Sequence, residues 1–554
     1  MRKMIFGLIV AALSLQACDT PAPLIQVPVE NVDNIPLKIA DLDDESKKSW
    51  SEKDLVNDTI PGMSVAKTYK EVITGKGETV IVAVVDSGVD IDHEDLKNII
   101  WTNTDEVPNN NIDDDRNGYV DDIHGWNFLG DVVDEQLEYS RIIQKYEPQF
   151  KGKTRDQIAK KDQKWFDTYK AARAEYDAEY NELKQQKEQY ENIVGFVEQA
   201  HQAFAKKLGK EDYTKEELMA ASTGGDTQLM QFKNGLTQMF EYADTMPEFL
   251  DTIKGDLESM QKRLDTNFNL NADYRSVVGD NPDNFKDDVY GNNNVAGPDL
   301  EAAKHGTHVS GIIAAERNNG KGMNGVANNV LIMPVRAVPD GDERDKDIAL
   351  AIRYAVDNGA KVINTSFGKY YATNPEWVYD AIKYAAKKDV LIVNAAGNES
   401  LDLDGGKTVY PNDQLDNLQE FANNVITVGA LNYKYGGNLV APFSNYGKSN
   451  VDIFAPGMEI YATTPNNEYE FLQGTSMAAP NVAGVAAMLR SYYPEFSAND
   501  IKRIILSSGV PTNTSVVVGG DPENTAKFSE LSKSGKMINM FNAFKMAELS
   551  KNEL

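Results

Sequence analysis

The sequence contains little cysteine, little histidine and little positive charge. Cys18 is the only cysteine in 554 residues, so no intrachain disulfide can form. Lys and Arg number 56 against 85 Asp and Glu, which gives a formal net charge of −29. This balance excludes nucleic acids and anionic lipid surfaces as favoured partners, and it favours solubility outside the cytosol and the binding of hard cations.

Beyond the N terminus, the sequence shows no apolar run long enough to cross a bilayer. Residues 1–17 combine two basic residues with an apolar stretch that is too short to span a membrane and is typical of a secretory signal peptide. The sequence Leu-Gln-Ala-Cys ending at Cys18 resembles a bacterial lipobox, in which the cysteine is acylated and becomes the first mature residue. We therefore expect an exported lipoprotein of the bacterial cell envelope. The alternative is cleavage at another small residue, with Cys18 discarded.

Histidine is scarce enough for each one to be judged by its surroundings. The five are His93, His124, His201, His305 and His308. His305 precedes a glycine and an apolar run over 309–315, whereas the first three lie in acid-rich or polar stretches. A serine in small-residue surroundings, Ser476, lies in Gly-Thr-Ser-Met-Ala-Ala-Pro at 474–480. A serine nucleophile needs a base within hydrogen-bond reach, and His305 is the best candidate.

A third group must orient that base. Residues 80–85 form a continuous apolar run, as expected for a parallel strand covered on both faces, and Asp86 follows at once. A carboxylate at the carboxyl end of such a strand lies where open α/β sheets place their chemistry. The sequence therefore predicts that Asp86 orients His305.

These three segments together resemble the subtilisin family of serine peptidases. Asp-Ser-Gly-Val-Asp at 86–90, His-Gly-Thr-His at 305–308 and the segment at 474–480 match its signatures in the order Asp, His, Ser. That order excludes the chymotrypsin-like enzymes and the α/β-hydrolases. Each motif alone has a plainer interpretation, a turn or a helix cap, but three in the correct order favour catalysis. The resemblance implies an α/β fold with a parallel sheet flanked by helices, and no organic cofactor.

The resemblance also implies groups that bind the substrate. Asn398 occupies the position whose side-chain amide donates to the oxyanion together with the backbone N–H of Ser476, and losing one such donor costs about 10²–10³ in turnover. The alternative is that Gly397-Asn398 is only a turn. Ser366, Phe367 and Gly368 resemble the extended segment that pairs with the substrate backbone and lines the specificity pocket. Protein or peptide substrates are the expected partners.

The opposite wall of the groove is expected near 340–347, which reads Asp-Gly-Asp-Glu-Arg-Asp-Lys-Asp. Relatives often carry small, uncharged residues there, so this groove should be more acidic and should prefer Lys or Arg upstream of the scissile bond. The alternative is a solvated run of charge on a loop.

Two places are candidates for structural calcium. The loop at 113–124 matches an EF-hand pattern at positions 1, 3, 5, 6 and 9 through Asp113, Asp115, Asn117, Gly118 and Asp121. Position 12 is His124 instead of glutamate, so the alternative is an Asn/Asp-rich turn. The resemblance implies a second site through Asp95 and Asn318, whose other ligands are mostly backbone carbonyls.

A large helical insertion separates the first two catalytic candidates, because 218 residues lie between Asp86 and His305. Residues 131–268 are poor in Pro and Gly and rich in Glu, Lys, Gln and Ala. A helical stripe with spacings of 3, 4 or 7 is formed by Trp165, Tyr169, Ala172, Tyr176, Tyr180, Leu183, Tyr190, Val194 and Val197. We expect further helices from Thr214 and from Pro247, hence a hairpin or small bundle. Its stripe is expected to be core, and the alternative is that the insertion covers the groove or docks a protein partner.

The predicted organisation is a signal peptide (1–17), a lipid-anchored tether (18–49), a first catalytic part (50–130), the insertion (131–268) and a second catalytic part (269–548). The predicted function is a lipid-anchored serine endopeptidase. The rival is a surface binding or chaperone-like protein in which the insertion acts and the peptidase core is a scaffold.

Overall fold

The computed structural model describes residues 21–35, 38–415 and 419–553. The predicted signal peptide and Cys18 lie outside the described residues. Most of the predicted tether is described, and it packs on the body of the protein. The Ala22 N–H donates to Asp500 Oδ1 at 3.0 Å, the Ile25 N–H donates to Ser550 Oγ at 2.9 Å, and Val32 is buried. Residues 21–35 therefore bind along the last two long helices.

The strands of the described residues are short and mostly buried. In chain order they are β1 (Val80–Asp86), β2 (Trp126–Asn127), β3 (Val330–Arg336), β4 (Val362–Thr365), β5 (Leu391–Ala395), β6 (Gln414–Leu415), β7 (Gln419–Glu420), β8 (Val425–Leu431), β9 (Ile453–Pro456), β10 (Ile460–Thr464), β11 (Glu468–Leu472), β12 (Val510–Pro511), β13 (Ser515–Val518), β14 (Asp521–Lys527) and β15 (Lys536–Met537).

The α-helices fall before, within and after the insertion. In chain order they are α1 (Asp44–Lys47), α2 (Val65–Glu71), α3 (Glu138–Phe150), α4 (Gln163–Leu208), α5 (Lys215–Ala220), α6 (Thr227–Met239), α7 (Met246–Asp265), α8 (Arg275–Val278), α9 (Lys304–Ala314), α10 (Asp345–Asp357), α11 (Pro375–Lys387), α12 (Thr475–Tyr492), α13 (Ala498–Ser508) and α14 (Met540–Ser550). No helix of the described residues combines the length and the apolar character needed to cross a membrane.

One nine-stranded sheet organises the catalytic part, in the order β12-β15-β9-β8-β5-β4-β1-β3-β2. All its neighbours pair in parallel except β12 with β15. The strands β1, β4 and β5 are apolar and buried, as parallel strands covered on both faces must be. Helices α9, α12, α13 and α14 cover one face, and α10 and α11 cover the other. The predicted α/β fold with a helix-flanked parallel sheet is confirmed.

The insertion folds as helices α3–α7 around two apolar clusters. The proximal cluster joins α3 and the first half of α4 to Phe268, and the distal cluster joins the second half of α4 to α5–α7. Tyr169 and Tyr176 of the predicted stripe are buried in the proximal cluster, so the stripe is core. Thr214 caps α5 through the predicted capping box. This helix ends at Ala220, and two glycines with positive φ at 224 and 225 lie in the connection to α6.

Candidate active site

The predicted catalytic residues lie at the carboxyl ends of the parallel strands. Asp86 ends β1, Ser366 directly follows β4, and Asn398 lies shortly after β5. Two helices start at the same edge, α9 with His305 in its first turn and α12 with Ser476 in its first turn. All five residues line one cleft with a volume of about 560 Å³. Open α/β sheets bind ligands at this edge.

Asp86 and His305 form a direct hydrogen bond. Asp86 is 1 % exposed, and its Oδ1 lies 2.7 Å from His305 Nδ1 and 2.7 Å from the Ser87 N–H. The imidazole is 39 % exposed at the cleft. Burial lowers the pKa of His305, but the charge of Asp86 and the hydrogen bond to it outweigh burial and raise that pKa above its usual value. With Asp86 ionised, Nδ1 is the donor, and Nε2 is left as the acceptor.

Gly306 explains how α9 comes so close to β1. A Cβ at this position would lie 2.1 Å from the Gly88 carbonyl oxygen and 3.1 Å from Asp86 Cβ. Any larger residue would push the helix away and stretch the bond between His305 and Asp86. The glycine after the histidine is therefore a packing requirement of the site.

Ser476 and Ser366 are joined by two reciprocal hydrogen bonds. Ser476 Oγ donates to the Ser366 carbonyl at 3.0 Å, and Ser366 Oγ donates to the Ser476 carbonyl at 2.8 Å. The second bond has a cause in the sequence, because Pro480 has no N–H to reach the carbonyl four residues before it. Pro480 lies in the second turn of α12. Ser366 thus satisfies a carbonyl that the helix leaves open.

Catalysis requires one hydrogen bond between Asp86 and His305 and another between His305 and Ser476, and the structure contains the first. Among the described residues the Ser476 hydroxyl bonds to Ser366 rather than to His305. His305 and Ser476 line the same cleft, and rotation about the Cα–Cβ bond of Ser476 would change the direction of the hydroxyl. Hydrogen bonds of catalytic groups commonly tighten only once substrate is bound.

Asn398 is held by its carbonyl oxygen, which leaves its amino group available. Its Oδ1 accepts from the Thr475 N–H at 2.8 Å and from the Thr475 hydroxyl at 3.0 Å. The side chain is exposed in the cleft. Gly397 before it has φ of +100°, and a Cβ there would lie 2.3 Å from Asn445 Nδ2. The turn and the donor are therefore one arrangement, and the two interpretations of this motif do not exclude each other.

The predicted substrate segment and the acidic run face each other across the cleft. Ser366, Phe367 and Gly368 line one side. Of the run 340–347, its first four residues line the cleft, and residues 345–347 begin α10 and are buried. Glu343 is 3 % exposed and Lys346 is 1 % exposed, so this part of the run is not solvated, whereas Asp340 at its start is exposed.

A buried ion cluster supports both sides of the cleft. We call it the wall cluster, and its members are Glu135, Glu138, Arg141, Asp342, Glu343, Arg344, Asp345 and Lys369. Lys369 Nζ lies 3.1 Å from Glu138 Oε2 and 2.9 Å from Asp345 Oδ1, and it donates to the Glu343 carbonyl at 2.7 Å. Arg141 of the insertion pairs with Glu138 and donates to the carbonyls of Asp342 at 2.8 Å and Glu343 at 3.0 Å.

The wall cluster shifts the pKa values of its members in opposite directions. Burial opposes ionisation of Glu138, but Arg141 and Lys369 outweigh it and lower the pKa of that carboxyl well below its usual range. Burial also lowers the pKa of Lys369, which its carboxylate neighbours nevertheless raise. For Glu343 burial dominates, and it raises the pKa to about 8 although Lys369 opposes it. The pKa of Glu138, which has two cationic partners, is thus lowered, whereas the pKa of Glu343 is raised.

An acidic group lies at the first calcium candidate, and it includes Glu106, which the sequence pattern did not contain. Carboxylate oxygens of Glu106, Asp113 and Asp115 lie within 4.8 Å of one another. The Asp121 carboxylate is turned instead toward the backbone N–H groups of residues 110 and 111, at 3.2 and 2.9 Å. The Asn117 carbonyl oxygen accepts from the N–H of residue 119. Asp121 and Asn117 are not among these three converging carboxylates, and their assignment as ligands stays a prediction.

The second calcium candidate, Asp95 with Asn318, stays a prediction. Asp95 is 1 % exposed, and burial raises its pKa. Its Oδ1 accepts from the side chain of Asn319 and not from that of Asn318, whose backbone N–H donates to Asn324 Oδ1 at 2.8 Å. With φ of +59°, Asn318 turns the chain so that its neighbour faces Asp95.

Sequence reasoning did not identify Glu106, Thr475 or the wall cluster. Glu106 lies seven residues before the loop it joins, outside the EF-hand pattern. Glu138 and Lys369 are 231 residues apart in the chain, so no local pattern connects them. Cavity volume alone would not identify the active site either. A larger cavity of about 630 Å³ lies where the insertion meets α10, and none of the predicted catalytic residues line it.

Comparison with known proteins agrees with the geometry. The profile of the Subtilase family matches residues 197–530, which is more than half of the chain and includes His305, Asn398 and Ser476. A thermophilic serine proteinase from Bacillus sp. (strain AK1) is 43 % identical over 194 residues, 35 % of this chain and 44 % of that protein. Thermitase from Thermoactinomyces vulgaris is 39 % identical over 188 residues, 34 % of this chain and 61 % of that protein.

Subtilisin DY from Bacillus licheniformis is 33 % identical over 216 residues, 39 % of this chain and 73 % of that protein. The chain thus spans less than half of the Bacillus AK1 proteinase and about three fifths of thermitase. The profile match and these relatives show that this protein belongs to the subtilase family.

Proposed function

We propose that this protein is a serine endopeptidase that hydrolyses peptide bonds of protein or peptide substrates. The observation that carries the proposal is the 2.7 Å bond between Asp86 and His305 in a cleft that also contains Ser476 and Asn398. A buried carboxylate that orients a half-exposed imidazole beside a serine is the arrangement that activates a hydroxyl.

Each residue has a definite role in the proposed reaction. Ser476 Oγ attacks the scissile carbonyl carbon, and His305 Nε2 takes the hydroxyl proton. Asp86 stabilises the resulting imidazolium and stays ionised. The amino group of Asn398 and the backbone N–H of Ser476 donate to the oxyanion. His305 then returns the proton to the leaving amine, and water hydrolyses the acyl-enzyme by the same route.

Substrate binding would also release the nucleophile. Ser366 follows a buried strand directly, and its carbonyl accepts the Ser476 hydroxyl at 3.0 Å. A substrate that pairs with 366–368 as an added strand offers a main-chain N–H to that carbonyl. Because the N–H competes with the hydroxyl for one acceptor, the hydroxyl can turn toward His305.

Labelling with a fluorophosphonate tests the proposal. The wild type should be labelled, and Ser476→Ala should not. Ser491→Ala is the matched control, since it lies on the same helix but its hydroxyl donates to the Glu78 carbonyl away from the cleft. An unlabelled wild type that is folded would refute the peptidase proposal and favour the rival binding or chaperone-like function.

The proposed location is the bacterial cell envelope, with the protein anchored by a lipid on Cys18. The support is the sequence before Cys18 and the net charge of −29, which suits an exported protein. Metabolic incorporation of a clickable fatty acid should label the wild type and not Cys18→Ala. Equal labelling of both would refute the anchor.

We also propose that Glu106, Asp113 and Asp115 hold a structural calcium ion. The donor set fits, because three carboxylates converge within 4.8 Å and hard cations prefer such oxygens. Asp113 also accepts from the backbone N–H groups of residues 117 and 118, which fixes the loop around the site. The role is to hold this loop, with no part in the reaction.

A further inference from the structure

The wall cluster contains more negative than positive groups. Its carboxylates are Glu135, Glu138, Asp342, Glu343 and Asp345, and its cations are Arg141, Arg344 and Lys369. Six of the eight are less than a tenth exposed. A buried charge without a partner is costly, so all five carboxyls can be ionised without that cost only when further cations bind.

The missing positive charge belongs at Glu343. Its Oε1 is buried and has no hydrogen-bond partner among the described residues, and Glu343 is one of the residues that line the cleft. The nearby cation Lys369 is occupied by Glu138, Asp345 and the Glu343 carbonyl. Asp342 differs, because its Oδ2 accepts from the Glu138 N–H at 2.6 Å. Burial raises the pKa of Glu343 to about 8, although the nearby Lys369 lowers it.

The other cations that line the cleft are not available to Glu343. Lys262 pairs with Asp134 at 2.8 Å and with Asp340 at 2.7 Å. Arg336 is 1 % exposed, and it donates to the carbonyls of Ser87 at 3.0 Å and Val132 at 2.7 Å. Within the described part of the chain, these Lys and Arg side chains are engaged elsewhere, so a further cation for Glu343 would come from a bound molecule.

The chemistry of one unpartnered oxygen selects the kind of cation. Calcium takes six to eight oxygen ligands, which Glu343 alone does not offer. An ammonium or a guanidinium needs one buried carboxylate and brings its own donors. The cleft is also where the proposed peptidase would bind its substrate.

We infer that Glu343 determines specificity by binding the side chain of a substrate Lys or Arg, which supplies the cation missing from the wall cluster. This inference rests on the proposed peptidase function and names its substrate class. It assigns one residue, whereas the composition of 340–347 alone indicates only an acidic groove.

Matched quenched-fluorescence peptides test the inference. Each pair is identical except for Arg or citrulline at one position upstream of the scissile bond, so that size is kept and charge is removed. For the wild type, kcat/KM should be at least about tenfold higher with Arg at one position. Glu343→Gln should bring this ratio to within about threefold of unity. Asp299→Asn is the control, because Asp299 is an exposed carboxylate of the same cleft, and it should retain the ratio.

The outcomes separate the inference from the function on which it rests. A ratio near one at every position in an active wild type would overturn the inference alone. An equal loss of the ratio in Asp299→Asn would also overturn it, because the general field of the cleft would then suffice. No hydrolysis and no fluorophosphonate labelling would overturn both. Should Glu343→Gln fail to fold, the wild type decides in 1 M salt, where a buried contact keeps the ratio and a screened field loses it.

Discussion

Replacing Lys369 by methionine tests whether the wall cluster holds the cleft together. The ammonium is 2 % exposed and contacts two carboxylates, at 3.1 Å in Glu138 and 2.9 Å in Asp345. It also donates to the Glu343 carbonyl on the opposite side of the cleft. Methionine keeps most of the volume and removes the charge, so the variant isolates the ion pairs.

The expected loss follows from the charges that remain. At an effective dielectric of 20, each ion pair at about 3 Å is worth about 5–6 kcal/mol before the cost of desolvation. Removing one partner of a buried pair leaves an uncompensated charge and costs about 3–5 kcal/mol. Lys369→Met should therefore lower the free energy of unfolding by about 3–5 kcal/mol. The contact with Glu343 is lost as well, so KM for peptides should rise.

Urea unfolding in the Ser476→Ala background measures the loss without self-digestion. Lys387→Met is the matched control, because Lys387 is exposed at the end of α11 and should cost less than about 0.5 kcal/mol. In Lys369→Met combined with Glu138→Gln, the loss should be smaller than the sum of the single losses by about 1–3 kcal/mol, because one carboxylate leaves with the cation. A loss no larger than that of the control would refute the reasoning.

Three further predictions concern the triad, the calcium site and the insertion. Because only the neutral ring accepts a proton, kcat/KM should rise with pH through the raised pKa of His305. Asp86→Asn should move that rise to lower pH and reduce kcat about 10⁴-fold. An unmoved pH profile in this variant would contradict the role of Asp86. EDTA should lower the Tm of the wild type and have less effect on the Tm of Glu106→Gln; equal shifts would place the metal elsewhere. Replacing 188–258 by a short glycine-serine linker should leave a folded protein that fluorophosphonate labels, whereas removing 135–265 should not, as gel filtration and labelling will show.

The sequence predicted the sheet and the cleft because their determinants are local. The apolar run before Asp86 reveals both a buried strand and the edge at which it ends. The same argument holds for the residues after β4 and β5. Because parallel strands bring their carboxyl ends together, residues far apart in the chain converge without any pattern that links them. Glycines at 306 and 397 mark the positions where backbone or side chains approach too closely for a Cβ.

Other contacts depend on packing, which a sequence pattern does not contain. The hydrogen bond of Ser476 to Ser366 depends on where one strand end meets α12, and the displaced carboxylate of Asp121 depends on two backbone N–H groups across its own loop. The composition of 340–347 indicated charge correctly. It did not show that Lys346 and Asp347 are buried, where Lys346 pairs with Asp280 and Asp347 pairs with Arg275. Charged side chains are usually exposed to solvent. The burial of such a side chain becomes evident only from the partners that the fold brings next to it.

The position of the wall cluster changes how the insertion must be understood. Composition favours a helical module that leaves the catalytic part intact when removed. However, α3 supplies Glu138 and Arg141 to the cluster, and Arg141 bonds to the carbonyls of two residues that line the cleft. Lys262 of α7 pairs with Asp340 at the rim of the same wall. The base of the insertion is therefore part of the cleft, and only the distal cluster is separable. A change in the angle of α3 would move both walls together, because Lys369 and Arg141 share the Glu138 carboxylate.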